Sequence, residues 1–223
     1  FVELALRMGP DTFYRYLTSF GLGKKTGIDL PGESPGILIT SRNVKRVDLA
    51  RIGFGQSVAL TPIQMMMAAN SVINGGKLMK PYIVSEIQTP DGETLERFHP
   101  TVMAAPIRPE TSDTMRLLLE RVVSEGGGKN AAIAGYRIGG KTGTAQVYKN
   151  GRVVRDTHIG SFYGFAPVND PQVSILVIVK EADVPIDYGG TTAAPFARQI
   201  MQEMLPYLGI DQENDETDEE IEV

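Results

Sequence analysis

Apolar residues in the opening stretch, FVELALRMG, fall at Phe1, Val2, Leu4, Ala5, Leu6 and Met8, a spacing that predicts an amphipathic helix stopped at Gly9-Pro10. The next run, DTFYRYLTSFGLG, predicts a second helix. Asp11 is available to cap it, Phe13, Tyr14, Tyr16, Leu17 and Phe20 form its apolar face, and Gly21 stops it. Residues 21 to 42, rich in Gly and Pro, read as a loop. Thr61, Pro62 and Gln64 then have the spacing of a capping box, which starts a helix from Pro62 to about Asn74. Met65, Met66, Met67, Ala68 and Ala69 make that helix apolar on nearly every side, so it is expected to be buried, with the methionines as core filler.

Further along, YIVSEIQ predicts an extended piece before a turn at Asp91-Gly92. Pro109 to Glu125 predicts a helix, with Met115, Leu118, Leu119 and Val122 at i, i+3, i+4 and i+7 and a glycine triplet at 126 to 128 to end it. From Tyr136 the period changes. YRIGGKTGTAQVY, a turn at Asn150-Gly151, HIGSFYGFAP, a turn at Asn169-Asp170-Pro171 and QVSILVIVK predict three successive antiparallel strands. A last helix, about Thr192 to Leu208, presents Ala193, Phe196, Ile200, Met204 and Leu205. No repeat is found, and the order predicts an α+β fold: packed helices, a three-stranded antiparallel meander, then a closing helix.

Composition adjusts this picture at one end. The final thirteen residues, DQENDETDEEIEV, carry eight of the 27 acidic groups; the remainder has 22 basic and 19 acidic residues, +3 where the whole chain is −5. The domain is therefore drawn at 1–208, with 209–223 as a disordered acidic tail. The body has no basic stripe, and no nucleic-acid partner is expected. Cysteine is absent, which excludes disulfides and thiolate chemistry, and with only two histidines no zinc site is expected. No run approaches the roughly 20 apolar residues of a membrane span. The chain opens in mid-pattern, without an initiating methionine, a helix cap or a signal-peptide pattern, and reads as a fragment.

Candidate chemistry concentrates in GGKTGTAQV, residues 139 to 147. Strand alternation puts Thr142, Thr144 and Gln146 on one face and Lys141, Gly143 and Ala145 on the other, so a ligand uses both sets only by lying along the strand's own edge. Gly143 would then admit a ligand backbone, the threonine hydroxyls would bind a carboxylate, Lys141 would set a positive potential and the Thr144 N–H would face a developing oxyanion. The alternative is an ordinary exposed edge strand with a lysine that deters aggregation and a glycine bulge. Spacing alone leaves both open. His158, at the start of the second meander strand, reads as structural; His99 sits in a loop, and Glu181, Asp183 and Asp187 read as a solvated loop cluster rather than a metal site.

Lys141-Thr142-Gly143-Thr144 is similar to the third active-site motif of the penicillin-interacting serine acyltransferases. GYRIGGKTGTAQ, RIGFGQSVALTPIQM, NGGKLMKPYIV, SFYGFAP and YGGTTAAPFARQI together resemble the class B penicillin-binding proteins over about residues 1 to 208. The resemblance implies the penicillin-binding-protein/β-lactamase-like fold and a peptidoglycan D,D-transpeptidase at the extracytoplasmic face of the cell membrane, held by an N-terminal anchor upstream of Phe1. In that scheme a serine attacks the penultimate D-alanine of a stem peptide, the acyl group passes to an amine on a neighbouring strand, and β-lactams trap the same serine. No cofactor is implied; the partners implied are peptidoglycan stem peptides, β-lactam antibiotics and the cell-wall synthesis machinery. Lys141 and Thr144 would be the catalytic residues of this stretch, with Thr142, Gly143 and Thr144 binding substrate.

One departure from the family matters. No serine has a lysine three positions on, so the Ser-x-x-Lys nucleophile motif is missing. Ser41-Arg42-Asn43 matches the second motif, Ser-x-Asn, in form, but the family's own motif sits just before the FVELALR helix, and the match is read as chance. The chain is expected to be inactive alone. DYGG at 187 to 190 is expected to border the cleft, as that loop does in relatives. Rival readings are a D,D-carboxypeptidase or serine β-lactamase of the same fold, in which water replaces the amine, and a non-catalytic β-lactam-sensing or interaction module.

Overall fold

A computed structural model describes residues 1–149 and 152–213. The chain divides into two compact units, Phe1–Met115 and Arg116–Val223.

The first unit opens with helix α1 (Val2–Ser19), two segments broken where expected, at Gly9, whose φ of 71° and ψ of 166° leave the helical region. Pro10 therefore starts the second segment and Asp11 lies inside it, not at its cap. The helix stops at Gly21: its N–H reaches the Thr18 carbonyl and the Leu22 N–H the Leu17 carbonyl, both at 3.0 Å, a Schellman closure that needs the left-handed φ of 78° at Gly21. Ala5 and Tyr14 are buried with Leu49 and Ile52 of a short helix the sequence pattern did not predict, α2 (Arg46–Ile52), whereas Tyr16 is exposed rather than inward-facing.

Helix α3 (Pro62–Ile73) begins with the expected capping box, Gln64 N–H to Thr61 Oγ1 at 3.2 Å and Thr61 N–H to Gln64 Oε1 at 2.9 Å. Its burial falls on Gln64, Met67, Ser71 and Ile73, and the rest of the helix past Pro62 is half-buried instead of enclosed. Two short antiparallel ribbons complete the unit: β1 (Leu78–Met79) with β4 (Val102–Ala104), and β2 (Glu86–Gln88) with β3 (Thr94–Arg97) around the expected Gly92 turn.

Helix α4 (Pro109–Ser124) has the expected length but a rotated face. Ser112 and Val123 are buried and Leu118 is 50% exposed, because three consecutive leucines, 117 to 119, fit more than one helical stripe and the spacing does not choose between them.

In the second unit β5 (Gly139–Lys149), β6 (Arg152–Ala166) and β7 (Val173–Lys180) form the expected antiparallel meander in the order β5-β6-β7, so β5 and β7 are its edges among the described residues. The turn expected at Asn150-Gly151 lies outside the described residues. The register runs one to one from Gly139 opposite Phe165 to Gln146 opposite His158 and then shifts; the next pair is Tyr148 with Val153. Between these pairs β5 supplies one residue, Val147, and β6 supplies four, Val154 to Thr157.

The closing segment is two helices, α5 (Gly189–Thr192) and α6 (Ala194–Tyr207). Ala194, Ala197, Met201 and Leu205 pack on Phe162 and Ala166, while Phe196 and Ile200, expected inward, are 54% and 48% exposed. Ala194 and Ala197 at the start of the helix let its axis come close to the sheet, and Met201 and Leu205 fill the space further along. The chain stays on the fold past 208: the Tyr136 hydroxyl donates to the Ile210 carbonyl at 3.3 Å and the Glu213 N–H to the Gly135 carbonyl at 2.8 Å. Of the acidic tail expected at 209–223, residues 214–223 lie outside the described residues.

Candidate active-site strand

The four residues singled out, Lys141, Thr142, Gly143 and Thr144, stand side by side on β5, opposite Tyr163, Phe162, Ser161 and Gly160 of β6. An edge strand turns every second N–H and C=O away from its neighbour, so the outer rim of β5 offers backbone donors and acceptors to an extended ligand. Lys141 is exposed and its Nζ donates to the Thr142 carbonyl at 2.8 Å. Opposite it, burial raises the Tyr163 phenol well above its ordinary range, against a lowering hydrogen bond with Ser174, so this neighbour is neutral at any physiological pH.

The two threonines face α5. The Gly189 N–H reaches Thr144 Oγ1 at 3.4 Å, and a Cβ on Gly190 would lie 3.6 Å from Thr142 Cγ2. The approach depends on glycine: a Cβ on Gly189 would sit 2.2 Å from the Ser161 carbonyl oxygen and 2.3 Å from that of Gly143, where no side-chain carbon fits. DYGG thus does border the candidate strand. On the far side of the helix start, Asn130 Nδ2 donates to the Gly190 carbonyl at 2.7 Å.

Asp187 corrects the expectation of a solvated cluster. It is 7% exposed, and its carboxylate receives the His158 backbone N–H at 2.6 Å and faces His158 Nδ1 at 2.7 Å. Burial by itself raises this carboxyl, but the two His158 hydrogen bonds and the imidazole charge outweigh it and hold Asp187 below the usual carboxylate range. Glu181 instead pairs with Lys149, and Asp183 is exposed. The Tyr188 ring lies edge-on to the His158 imidazole at 5.5 Å. The partner of His158, Asp187, lies 29 residues away, beyond any local pattern. Ser41 to Asn43 lie in the first unit as a turn closed by the Asn43 N–H on the Thr40 carbonyl at 3.0 Å. Among the described residues no group of three or more His, Cys, Asp or Glu could hold a metal ion, and no helix is long and apolar enough to cross a membrane.

Residues 1–202 match the family model of the penicillin binding protein transpeptidase domain. The chain belongs to the class B penicillin-binding proteins. Among curated relatives of this family it is 46% identical to stage V sporulation protein D of Bacillus subtilis, over 94% of the chain and 33% of that protein. It is 34% identical to penicillin-binding protein PbpB of Mycolicibacterium smegmatis, over 91% of the chain and 33% of that protein. The chain thus spans about a third of the length of these two relatives. Among solved structures it superposes with a TM-score of 0.87 and 29% identity on penicillin binding protein 3 of Mycobacterium tuberculosis complexed with ampicillin, covering 97% of this chain and 50% of that one. The penicillin-binding transpeptidase fold, α+β with the three-stranded antiparallel sheet, is therefore the fold of this chain.

Proposed function

We propose that this chain is the C-terminal part of a peptidoglycan D,D-transpeptidase and contributes one wall of its cleft. The observation that carries the reading is the Lys141–Thr144 stretch on an open sheet edge, backed on its threonine face by the start of α5. An extended stem peptide, or a β-lactam in its place, lies along that rim. Thr142 and Thr144 hold its terminal carboxylate, Gly143 allows close approach, and the Thr144 N–H is one oxyanion donor. The nucleophile is a serine of the parent protein outside this chain. Its Oγ attacks the penultimate D-alanine carbonyl, the C–N bond to the terminal D-alanine breaks, and that residue leaves with a proton. The amine of a neighbouring strand then attacks the ester and returns the serine with its proton. Lys141 supplies positive charge and helps the proton transfer. The parent is membrane-anchored, acts outside the cytoplasm and works with the cell-wall synthesis machinery; no cofactor enters.

Intact mass spectrometry after incubation with penicillin tests this. The complete protein gains one adduct, Lys141→Ala slows its formation by roughly 10²- to 10⁴-fold, and the 223-residue chain alone gains none. An adduct on Ser41, Ser57 or Ser161 of the isolated chain would put the chemistry elsewhere. Hydrolysis of donor peptide with no cross-linked product would assign carboxypeptidase chemistry instead, and an adduct that water rapidly releases as hydrolysed penicillin would assign β-lactamase chemistry.

A further inference from the structure

The segment from Asp183 to Ile186, between β7 and α5, is exposed, yet three residues past it the chain brings Gly189 so near β5 and β6 that a Cβ there would overlap the Gly143 and Ser161 carbonyl oxygens, with its N–H 3.4 Å from Thr144 Oγ1. Asp187 is where this connection is fixed. Both carboxylate oxygens serve: Oδ2 accepts the backbone N–H of His158 at 2.6 Å and Oδ1 stands 2.7 Å from its Nδ1. An ionised carboxylate only accepts, so Nδ1 carries the proton and the imidazole tautomer is set. The Tyr188 ring then stacks edge-on against the same imidazole, and its carbonyl accepts the Thr192 hydroxyl at 3.0 Å and the Thr191 and Thr192 N–H groups at 2.9 Å. Gly160, two residues along β6 from His158, lacks a Cβ that would lie 2.3 Å from Thr192 Oγ1 and 3.1 Å from the Asp187 carbonyl oxygen. From the other side Asn130 holds the Gly190 carbonyl.

We infer that His158 and Asp187 are positioning residues for the reaction. Their hydrogen-bonded pair seats Tyr188, Gly189 and Gly190 on β5 and thereby sets the placement of Thr144 and Gly143 against the acylating ligand. Neither touches substrate; they act through Gly189. The inference rests on the transpeptidase reading above, because it takes Thr144 as a substrate-facing group. It needs no change in protonation during turnover, since Nδ1–H donates to Asp187 in both the neutral and charged imidazole.

The test uses the complete transpeptidase that contains this chain, with His158→Ala, which deletes the Nδ1 donor, and His158→Asn, whose side-chain N–H lies near the place of Nδ1–H. The second-order rate constant of acylation by a fluorescent penicillin is expected to fall about 10- to 100-fold in His158→Ala and to stay within about 3-fold of wild type in His158→Asn, as for a misplacement of the order of 1 Å. Amide exchange across residues 186 to 192 is expected to accelerate in His158→Ala and to be restored in His158→Asn. Wild-type acylation by His158→Ala, or a His158→Asn variant as slow as His158→Ala, would overturn the inference. So would unchanged exchange in His158→Ala, a readout that stands even if the wild-type protein fails to acylate and the transpeptidase reading falls on its own.

Discussion

The two units hold themselves together by different means. In the second, eleven buried residues among those described, six of them from β6 and α6 and the rest from Val123, the segment 131–138 and Ala193, form one apolar cluster. In the first, the corresponding cluster has four, and Thr26, Gln64, Ser71 and Ser112 are buried elsewhere in the unit as hydrogen-bonding groups. Gln64 shows how they work: besides closing its capping box, its Nε2 donates to the Lys24 carbonyl at 2.6 Å and the Pro35 carbonyl at 2.9 Å, so one amide on α3 pins both ends of a Gly-rich loop. Glu33 does the same within that loop, accepting from the Thr26 hydroxyl at 2.6 Å and the Gly27 N–H at 3.0 Å. The candidate site is carried by the unit with the continuous core, where strand positions are fixed by packing; the other unit is stapled by specific polar contacts, and its loops are only as firm as those contacts.

The contrast can be broken in three ways. Leu205→Ala opens a cavity under the sheet and is expected to destabilise by about 2–5 kcal/mol in urea denaturation; Leu49→Ala, in the small cluster, is expected at the lower end of that range because its surroundings can collapse. Equal losses would erase the distinction. Gln64→Leu keeps the bulk but strands two loop carbonyls and a capping N–H, with an expected loss of about 1–3 kcal/mol. A neutral result would mean the loop is held by something other than this amide. The smallest effect is one of acidity. Backbone hydrogen bonds from Val84 and Ile83, with the Lys80 charge, draw the Asp29 carboxyl below its usual range despite some desolvation, and the Thr26 hydroxyl leads the same effect on Glu33. Their folded pKa values are depressed, so their contribution is present above the ordinary carboxylate pKa of about 4 and is lost as pH falls below it toward the folded values. Urea midpoints measured from pH 5 down to pH 2 should fall less steeply in Asp29→Asn and Glu33→Gln; parallel curves would remove these carboxylates from the account.

What could be read from the sequence follows the same division between local and distant causes. The Thr61–Gln64 box, the Gly21 stop and the three strands of the meander are set by residues within a few positions of each other, and they stand where they were expected. The inward faces of α4 and α6 are set by what each helix packs against, and there the spacing misled: Leu118, Phe196 and Ile200 point outward, while Ser112 and Val123 are buried on α4 and Ala194, Ala197, Met201 and Leu205 on α6. The candidate strand was legible as a motif, but its support was not. Asp187 read as a solvated acid because its partner, His158, and the reason for Gly189, the Gly143 and Ser161 carbonyls, become neighbours only once β5, β6 and α5 are assembled.

The register break beyond Gln146 bears on how this protein can vary. Up to that point each residue of β5 is tied to one of β6, and a single insertion on either side would slide Lys141 and Thr144 to the wrong face. Past it, one residue already faces four, so the ladder has absorbed a mismatch in chain length without passing it back toward Gly139. The bulge is a seam: sequence added or removed on its distal side can lengthen or re-aim the ends of β5 and β6 beyond Tyr148 and Val153 while the candidate stretch keeps its place, so a tag or a grafted loop is expected to be tolerated there.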